Sequence, residues 1–119
     1  MVDFQDMTPE EKRDAFAEAA NGGFIESYFN EANFTEAKMP LFIAIKCDFT
    51  DAKFKDAELA GANFAFSNMQ NVDFRGAYLR NAIFLGCNLD GAKFGGAYMM
   101  GAVMPDGSIN GVDLKEPKH

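Results

Sequence analysis

The chain has 119 residues, with 18 acidic against 11 basic side chains, a net charge of -7, 48% hydrophobic residues and 13 phenylalanines. This length and apolar content allow one domain with a buried core, which excludes an intrinsically disordered chain. No apolar run approaches the ~18 residues of a membrane span, and the amino terminus lacks the pattern of a signal segment. The acidic balance argues against a general nucleic-acid binder, because phosphate contacts need clustered Lys and Arg. We therefore expect a soluble, cytoplasmic protein.

The amino-terminal segment, residues 1–21, predicts a capping helix over about residues 9–20. Thr8 is the N-cap, Pro9 stands at the first helical position and Glu11 at the third, which together form a capping box. The narrow apolar face of this helix consists of Ala15, Phe16, Ala19 and Ala20. We expect the helix to cover one end of the domain that follows.

From residue 22 to residue 114 the sequence repeats every five positions. One position of each unit, called the centre below, carries a large apolar residue in 18 of 19 units. Two residues before the centre stands Gly, Ala, Ser or Cys in 16 of 19 units. A single unit cannot bury its apolar side chains alone, so the units must stack into one continuous core, as in other solenoids.

The units Ala57–Gly61, Ala62–Phe66 and Cys87–Gly91 closely resemble the pentapeptide-repeat family, whose consensus is Ala-(Asp or Asn)-Leu-x-x. The resemblance extends over roughly residues 22–114 without an insertion. It implies an all-β solenoid, namely a right-handed, four-sided parallel β-helix of about 4.5 coils in which four units form one coil. The centres and the small residues then point inward.

In such a coil, residues 20 positions apart stack on one another, and their side chains are compatible. The inward centres include Phe34, Phe54, Phe74 and Phe94 in one column and Leu59 and Leu79 in another. In Phe42-Ile43-Ala44 the large and small residues exchange places, which nearly conserves the core volume. The outward column Asn33, Lys53, Asp73, Lys93 and Asp113 alternates in charge, which favours this register.

At the carboxyl end, Pro105-Asp106-Gly107 predicts a turn, after which Ile109 and Leu114 keep the spacing and residues 115–119 form a tail. Either this tail or a partner covers the end of the solenoid. Cys47 and Cys87 stand in the small inward column two coils apart, hence ~9.6 Å, beyond the ~7 Å Cα separation that a disulfide spans. We expect two buried free thiols that act as small hydrophobes.

Catalytic chemistry has little support in the sequence. The only histidine is His119, the last residue, so the fold has no histidine-based dyad, triad or metal cluster. The carboxylates of Glu31, Glu36, Asp51 and Asp56 could pair for acid–base work or hold a cation, but they recur at a solvent position of the repeat. We therefore predict no catalytic residue, no metal site, no cofactor and no enzymatic activity.

One side of the predicted coil is apolar on its outside. Its members, called the apolar face below, are Ile25, Ile43, Ile45, Phe66, Ile83, Leu85 and Val103, with Ala65 and Pro105 among them. Apolar patches of this kind usually mark an interaction surface, although β-branched residues also favour strands for local reasons. We expect the face to bind a protein partner or a second copy of the chain.

Two functions remain open. The first is a non-catalytic structural or protein-interaction module. The second comes from the resemblance, which implies that some family members imitate DNA and bind type II topoisomerases such as DNA gyrase. Family members are also frequent in cyanobacteria, so the resemblance suggests a bacterial source. A DNA mimic needs acid along the whole rod, whereas residues 1–36 hold nine acids and two bases and residues 37–119 hold nine of each. The gyrase function is therefore the second choice.

Overall fold

The computed structural model describes residues 8, 10 and 23–113. The predicted capping helix, apart from Glu10, and the residues after 113 lie outside this part of the chain. The strands are short: β1 is Phe24–Ile25 and β2 is Ala44–Ile45. They pair in parallel, with Phe24 opposite Ala44 and Ile25 opposite Ile45, so the partners are 20 residues apart.

Single parallel bridges continue this pairing around the whole molecule. Four columns of bridges link Tyr28 to Asp48, Asn68 and Asn88; Asn33 to Lys53, Asp73 and Lys93; Lys38 to Glu58, Tyr78 and Tyr98; and Ile43 to Asn63, Ile83 and Val103. Each step in a column is 20 residues, and each column lies on a different side of the chain's path. The predicted right-handed, four-sided parallel β-helix is therefore confirmed, and residues 24–103 form its stacked coils.

Tight corners separate the four sides. In a typical corner the N–H of the small residue donates to the carbonyl of the preceding centre, as from Ala52 to Phe49 at 2.9 Å. The second residue after each centre has a positive φ in every unit from Glu26 to Gly101. Glycine adopts this conformation freely, and Gly86 also leaves the room that the Phe66 ring occupies. The corner geometry explains why the carboxylates at these positions point into solvent.

The residue before each centre, called minus-one below, has a recurring role when it is Asn or Asp. Its side-chain oxygen accepts a hydrogen bond from the backbone N–H two residues later, as from Thr35 to Asn33 and from Arg75 to Asp73, both at 3.0 Å. This local bond satisfies a donor that points out of the coil. The preference for Asn and Asp in the repeat therefore has a backbone cause, and units with another residue at this position lack the bond.

The core consists of stacked and interlocking rings. Phe34, Phe54, Phe74 and Phe94 lie parallel in one column, with ring centroids 4.8, 5.3 and 5.3 Å apart, which confirms the predicted stacking. Rings on neighbouring sides meet edge to face, as Phe74 and Phe84 do at 5.6 Å. Leu59 and Leu79 are fully buried in their column.

The exchange of large and small residues at Phe42 and Ala44 is also confirmed. Both are buried, and the Phe42 ring lies 5.8 Å from that of Phe24 and 6.0 Å from that of Phe64. The ring therefore fills the space that a large centre would otherwise occupy, in agreement with the tolerance of cores for swaps that conserve volume.

The carboxyl end departs from the repeat. The last parallel bridge joins Ile83 to Val103, after which Ile109 pairs with Val103 in the antiparallel direction. The predicted inward position of Ile109 is wrong, because its side chain is 71% exposed. The turn is the physical reason: Asp106 accepts the Ser108 N–H at 2.9 Å and the chain reverses. The last described part of the predicted 22–114 range thus forms a hairpin rather than a further coil.

Asp113 does not extend the charged column as expected. Its carboxylate contacts the Arg80 guanidinium at 2.6 Å and accepts the Met100 N–H at 2.9 Å. Asn110 holds the same segment by donating from its side chain to the carbonyls of Met99 and Val112. The chain itself therefore covers part of the carboxyl end. Leu89, Phe94 and Met104 remain only partly buried there.

We predict that Phe74→Ala lowers the free energy of unfolding by about 3–5 kcal/mol, because it removes a fully buried ring and leaves a cavity between Phe54 and Phe94. Urea unfolding measures the loss. Phe66→Ala is the control, since that ring is 55% exposed and its removal should cost much less. Equal midpoints for Phe74→Ala and the wild type would contradict the inward assignment.

We also predict that the tail contact of Asp113 depends on pH. The Arg80 side chain, followed by the Met100 N–H, lowers the pKa of this carboxyl below its ordinary value of 3.8. The contact is therefore complete above pH 3.8 and is lost as the pH falls through the lower, folded-state pKa. The amide chemical shift of Met100 should follow this transition, and it should not do so in Asp113→Asn. A transition at or above the ordinary pKa would contradict the contact.

Candidate interaction face

The apolar face is built by the alternation of side chains along each side of the coil. The centre points inward, so the minus-one residue and the residue after the centre, called plus-one, point outward. Ile43, Ile83 and Val103 share the minus-one column with Asn63, which lies between Ile43 and Ile83. Ile25 and Ile45 stand opposite each other in the plus-one column. The structure therefore brings the predicted face residues onto one side of the molecule.

These side chains differ in how far they reach into solvent. Ile25 is 63% exposed, Ile43 and Leu85 are each 38% exposed, and the Phe66 ring stands at the corner over Gly86. The remaining face residues, Ile45, Ile83 and Val103, are half-buried. Ala65, in contrast, is buried and forms a shallow hollow between its larger neighbours in the plus-one column.

Two residues that were not predicted from the sequence enlarge this surface. Leu41 is 72% exposed at the preceding corner, where it has a positive φ of 63° and lies against Gly61. Met100, on the adjacent side, is half-exposed. An apolar residue at a solvent-facing corner could have indicated Leu41 from the sequence. It was not assigned to the face because its repeat unit belongs to the adjacent side.

The apolar face carries no charge at its centre. Within the part of the chain that the structure describes, the ionisable residues of this side are Glu26, Lys46 and Asp106, and all three stand at its far corner. The remaining charged residues of the coils lie on the other three sides. The contrast matters because desolvating a charge opposes binding, whereas burying uncovered apolar side chains favours it.

The side that carries Tyr78 and Tyr98 is different in character. These two rings stack 4.6 Å apart and are nearly parallel, and the Arg80 guanidinium lies 5.4 Å from the centroid of Tyr98. Arg80 in turn contacts Asp113. These residues are thus joined to the carboxyl-terminal closure.

Cys47, Ser67 and Cys87 stack in one column at an inner corner, where their side chains form hydrogen bonds with the backbone. Cys87 Sγ contacts the carbonyl of Phe64 at 2.9 Å, and Ser67 Oγ donates to the carbonyl of Ala44 at 3.0 Å, each 23 residues earlier. Ser67 Oγ also accepts the N–H of Cys47 at 3.0 Å. Its hydroxyl therefore bonds to two backbone groups of the preceding coil, the carbonyl of Ala44 and the N–H of Cys47. The prediction of two buried free thiols is confirmed, and the thiols also serve as donors to backbone carbonyls.

Neither thiol has the character of a nucleophile. Burial raises the pKa of Cys87 to about 11 and also raises that of Cys47. A thiol with a raised pKa holds its proton at neutral pH. Among residues 23–113 and the two described positions before them, no group of three His, Cys, Asp or Glu side chains is arranged to hold a metal ion. The described part of the chain also contains no helix that is long and apolar enough to cross a membrane.

The geometry defines a solenoid of five-residue units, and the sequence identifies its family. The model of the family described as pentapeptide repeats matches eight copies, over residues 47–85, 67–106 and 82–116, which together are more than half of the chain. The chain therefore belongs to the pentapeptide-repeat family. No curated protein matches it.

Several solved structures are similar to this chain. HetL, a pentapeptide repeat protein involved in heterocyst differentiation regulation from the cyanobacterium Nostoc sp. strain PCC 7120, is 25% identical over 72% of this chain and 43% of its own, with a TM-score of 0.46. The protein alr5209 from Nostoc is 24% identical over 71% and 76%, with a TM-score of 0.45. QnrB1, a plasmid-mediated fluoroquinolone resistance protein, is 17% identical over 69% and 53%, with a TM-score of 0.32. The chain thus spans less than half the length of HetL.

We predict that neither thiol reacts with iodoacetamide at pH 8 while the protein is folded, because both are buried and the pKa of Cys87 is about 11. Intact-mass measurement counts the labels. In urea both thiols should be labelled, which is the control for competence of the reagent. Labelling of Cys87 in the native protein at the rate seen in urea would contradict its burial.

Proposed function

We propose that this protein is a non-catalytic protein-interaction module that binds its partner through the apolar face. The observation that carries the proposal is the apolar side of the β-helix formed by Ile25, Ile43, Phe66, Leu85 and their neighbours, which no described residue covers and which has charged residues only along one corner. Monomeric proteins rarely leave such a surface open, because its burial is favourable. The two unpaired thiols agree with a reducing compartment such as the cytoplasm.

The rigidity of the face supports a binding role. Each exposed side chain of the face stands on a coil that is hydrogen-bonded to a neighbouring coil. The N–H of Phe66 donates to the carbonyl of Leu85, and the N–H of Glu26 donates to the carbonyl of Ile45. The centres beneath them, Phe64 and Phe84, are fully buried and stacked 5.6 Å apart. A surface held in this way loses little conformational entropy on binding, which favours affinity.

The chemistry of the described residues supports a function without catalysis. The two thiols have raised pKa values, and the corner carboxylates of Glu31, Glu36 and Asp51 are exposed to solvent. An acid–base or nucleophilic group normally stands in a cleft where its pKa is matched to its task. These groups instead stand on convex corners or inside a closed core.

The double variant Ile45→Lys, Leu85→Lys tests the proposed function, because two charges in the middle of the face oppose its burial. Immobilised wild-type protein and the variant are compared for the proteins each retains from an extract of the source organism. Thr35→Lys, on the opposite side, is the matched control. We expect proteins retained by the wild type and the control to be lost from the double variant. An unchanged set of retained proteins, with the variant still folded by circular dichroism, would contradict the proposal.

A second candidate is modulation of a type II topoisomerase such as DNA gyrase by DNA mimicry. The observation in its favour is a group of exposed acids at the corners of the first two coils, namely Glu26, Glu31, Glu36, Asp51 and Asp56. It ranks second because four lysines, Lys38, Lys46, Lys53 and Lys55, stand among the seven acids of these two coils and offset part of their charge. A DNA supercoiling assay tests it directly, and inhibition of gyrase at micromolar protein would place this function first.

A further inference from the structure

We propose that the occupant of the apolar face is a second copy of this chain, packed face to face and antiparallel about a two-fold axis beside Asn63. This inference rests on the proposed function, since it names the partner of the same face. Three features support it: the area of the face, the distribution of charge along the chain, and the polar residue at the middle of the face.

The area of the face suits a symmetric dimer. The exposed parts of Ile25, Leu41, Ile43, Phe66 and Leu85 and the half-buried side chains between them offer about 600 Å² of apolar surface, against ~800 Å² per partner in a standard interface. The face is also flat, because its outward residues come from the straight side of a stacked coil. Two flat copies of one surface can meet over most of their area.

The charge distribution favours the antiparallel arrangement. Among the described coils the acidic end is the first coil, residues 24–43, which holds Glu26, Glu31 and Glu36 against Lys38, whereas residues 84–103 hold one acid and one base. A parallel dimer would place the two acidic ends side by side. An antiparallel dimer separates them by roughly the height of the coils, about 19 Å, which exceeds the Debye length of about 8 Å in physiological salt.

Asn63 is the polar residue at the middle of the apolar minus-one column, between Ile43 and Ile83. Its Oδ1 accepts the N–H of Ala65 at 3.0 Å, which leaves Nδ2 as an outward donor, and no described residue accepts a bond from that nitrogen. Near a two-fold axis the two Asn63 amides meet each other. A polar residue within an apolar interface can fix the register of the two chains, as a buried Asn does in coiled coils.

The same axis matches the rest of the face. Ile43 of one copy then stands opposite Ile83 of the second copy, and Ile45 opposite Leu85. The Ala65 hollows of both copies lie at the centre, beside the Phe66 rings. In the parallel arrangement Asn63 would face Ala65, which offers its amide only a methyl group. Over the minus-one and plus-one columns the antiparallel dimer thus pairs polar with polar and apolar with apolar residues.

Sedimentation equilibrium tests the dimer with the full chain. We expect wild-type protein at tens of micromolar to have twice the chain mass of 13.1 kDa. Ile45→Lys with Leu85→Lys should raise the dimer dissociation constant by about 100-fold or more, because both charges would be buried at the interface. Thr35→Lys, on the opposite side, should leave it unchanged.

Asn63→Asp tests the position of the axis. Aspartate keeps the acceptor for the Ala65 N–H, as Asp73 does for Arg75, so the coil is preserved. Two carboxylates near the axis would repel each other, and the dissociation constant should rise by at least about tenfold at pH 7 and less at pH 4. Asn33→Asp is the matched control, at the same position of the repeat on the opposite side, and should leave the dimer intact.

The outcomes separate this inference from the proposed function. Wild-type protein that sediments at 13.1 kDa throughout overturns the dimer, while loss of retained proteins from the double variant would still support the interaction face. The dimer is also overturned if the wild-type protein is a monomer and the double variant has a much lower free energy of unfolding. That loss would mean that the face is buried within a single chain. A dimer that Asn63→Asp leaves unchanged overturns the antiparallel arrangement.

Discussion

The hydrogen bonds between coils hold every other feature of this protein in place. Each centre from Phe24 to Phe84 donates its N–H to a carbonyl of the next coil, as Phe54 does to Asp73 at 2.8 Å. Each minus-one residue from Asp48 to Val103 donates to the coil before it, as Lys53 does to Ala32 at 2.9 Å. Bonds on both sides fix the rise between coils at the spacing of parallel strands. That spacing is also the stacking distance of aromatic rings, so the Phe34 and Phe54 rings lie 4.8 Å apart and the ladder and the core support each other.

The same ladder imposes constraints that the side chains satisfy locally. Corners require a left-handed residue in every unit, and the first coils place Glu, Leu and Lys there while later coils often use glycine. Non-glycine residues in this conformation are unfavourable by about 1 kcal/mol or more, so the stacking of neighbouring coils must hold them. Where the minus-one residue is Asn or Asp, it also satisfies an outward N–H, and Asn63 does so within an otherwise apolar column. Asn63 thus has a structural role in its own coil and also supplies the polar group at the centre of the proposed interface.

Much of the candidate site was predictable, because the repeat assigns each residue to a side once the family resemblance gives four units per coil. Ile43 and Ile83 differ by two coils and stand in one column, as their spacing requires. Leu41 could not be assigned to the face from sequence, because its position depends on how a corner side chain extends across the edge between two sides. The hydrogen bonds that Ser67 and Cys87 donate between coils could not be predicted from sequence either. Their acceptors are carbonyls 23 residues earlier, which only the stacked backbone brings close.

The period of five and the small inward column determined from sequence that the units stack into a solenoid, and the resemblance to the pentapeptide-repeat family implied that the coil has four sides. These features are local and repeat, so each unit carries the same information. The end of the solenoid was different. Ile109 keeps the spacing, yet the hairpin at Asp106 and the contact of Asp113 with Arg80 direct it outward. Only the tertiary structure decided this, because spacing places a residue inward only while another coil follows to bury it.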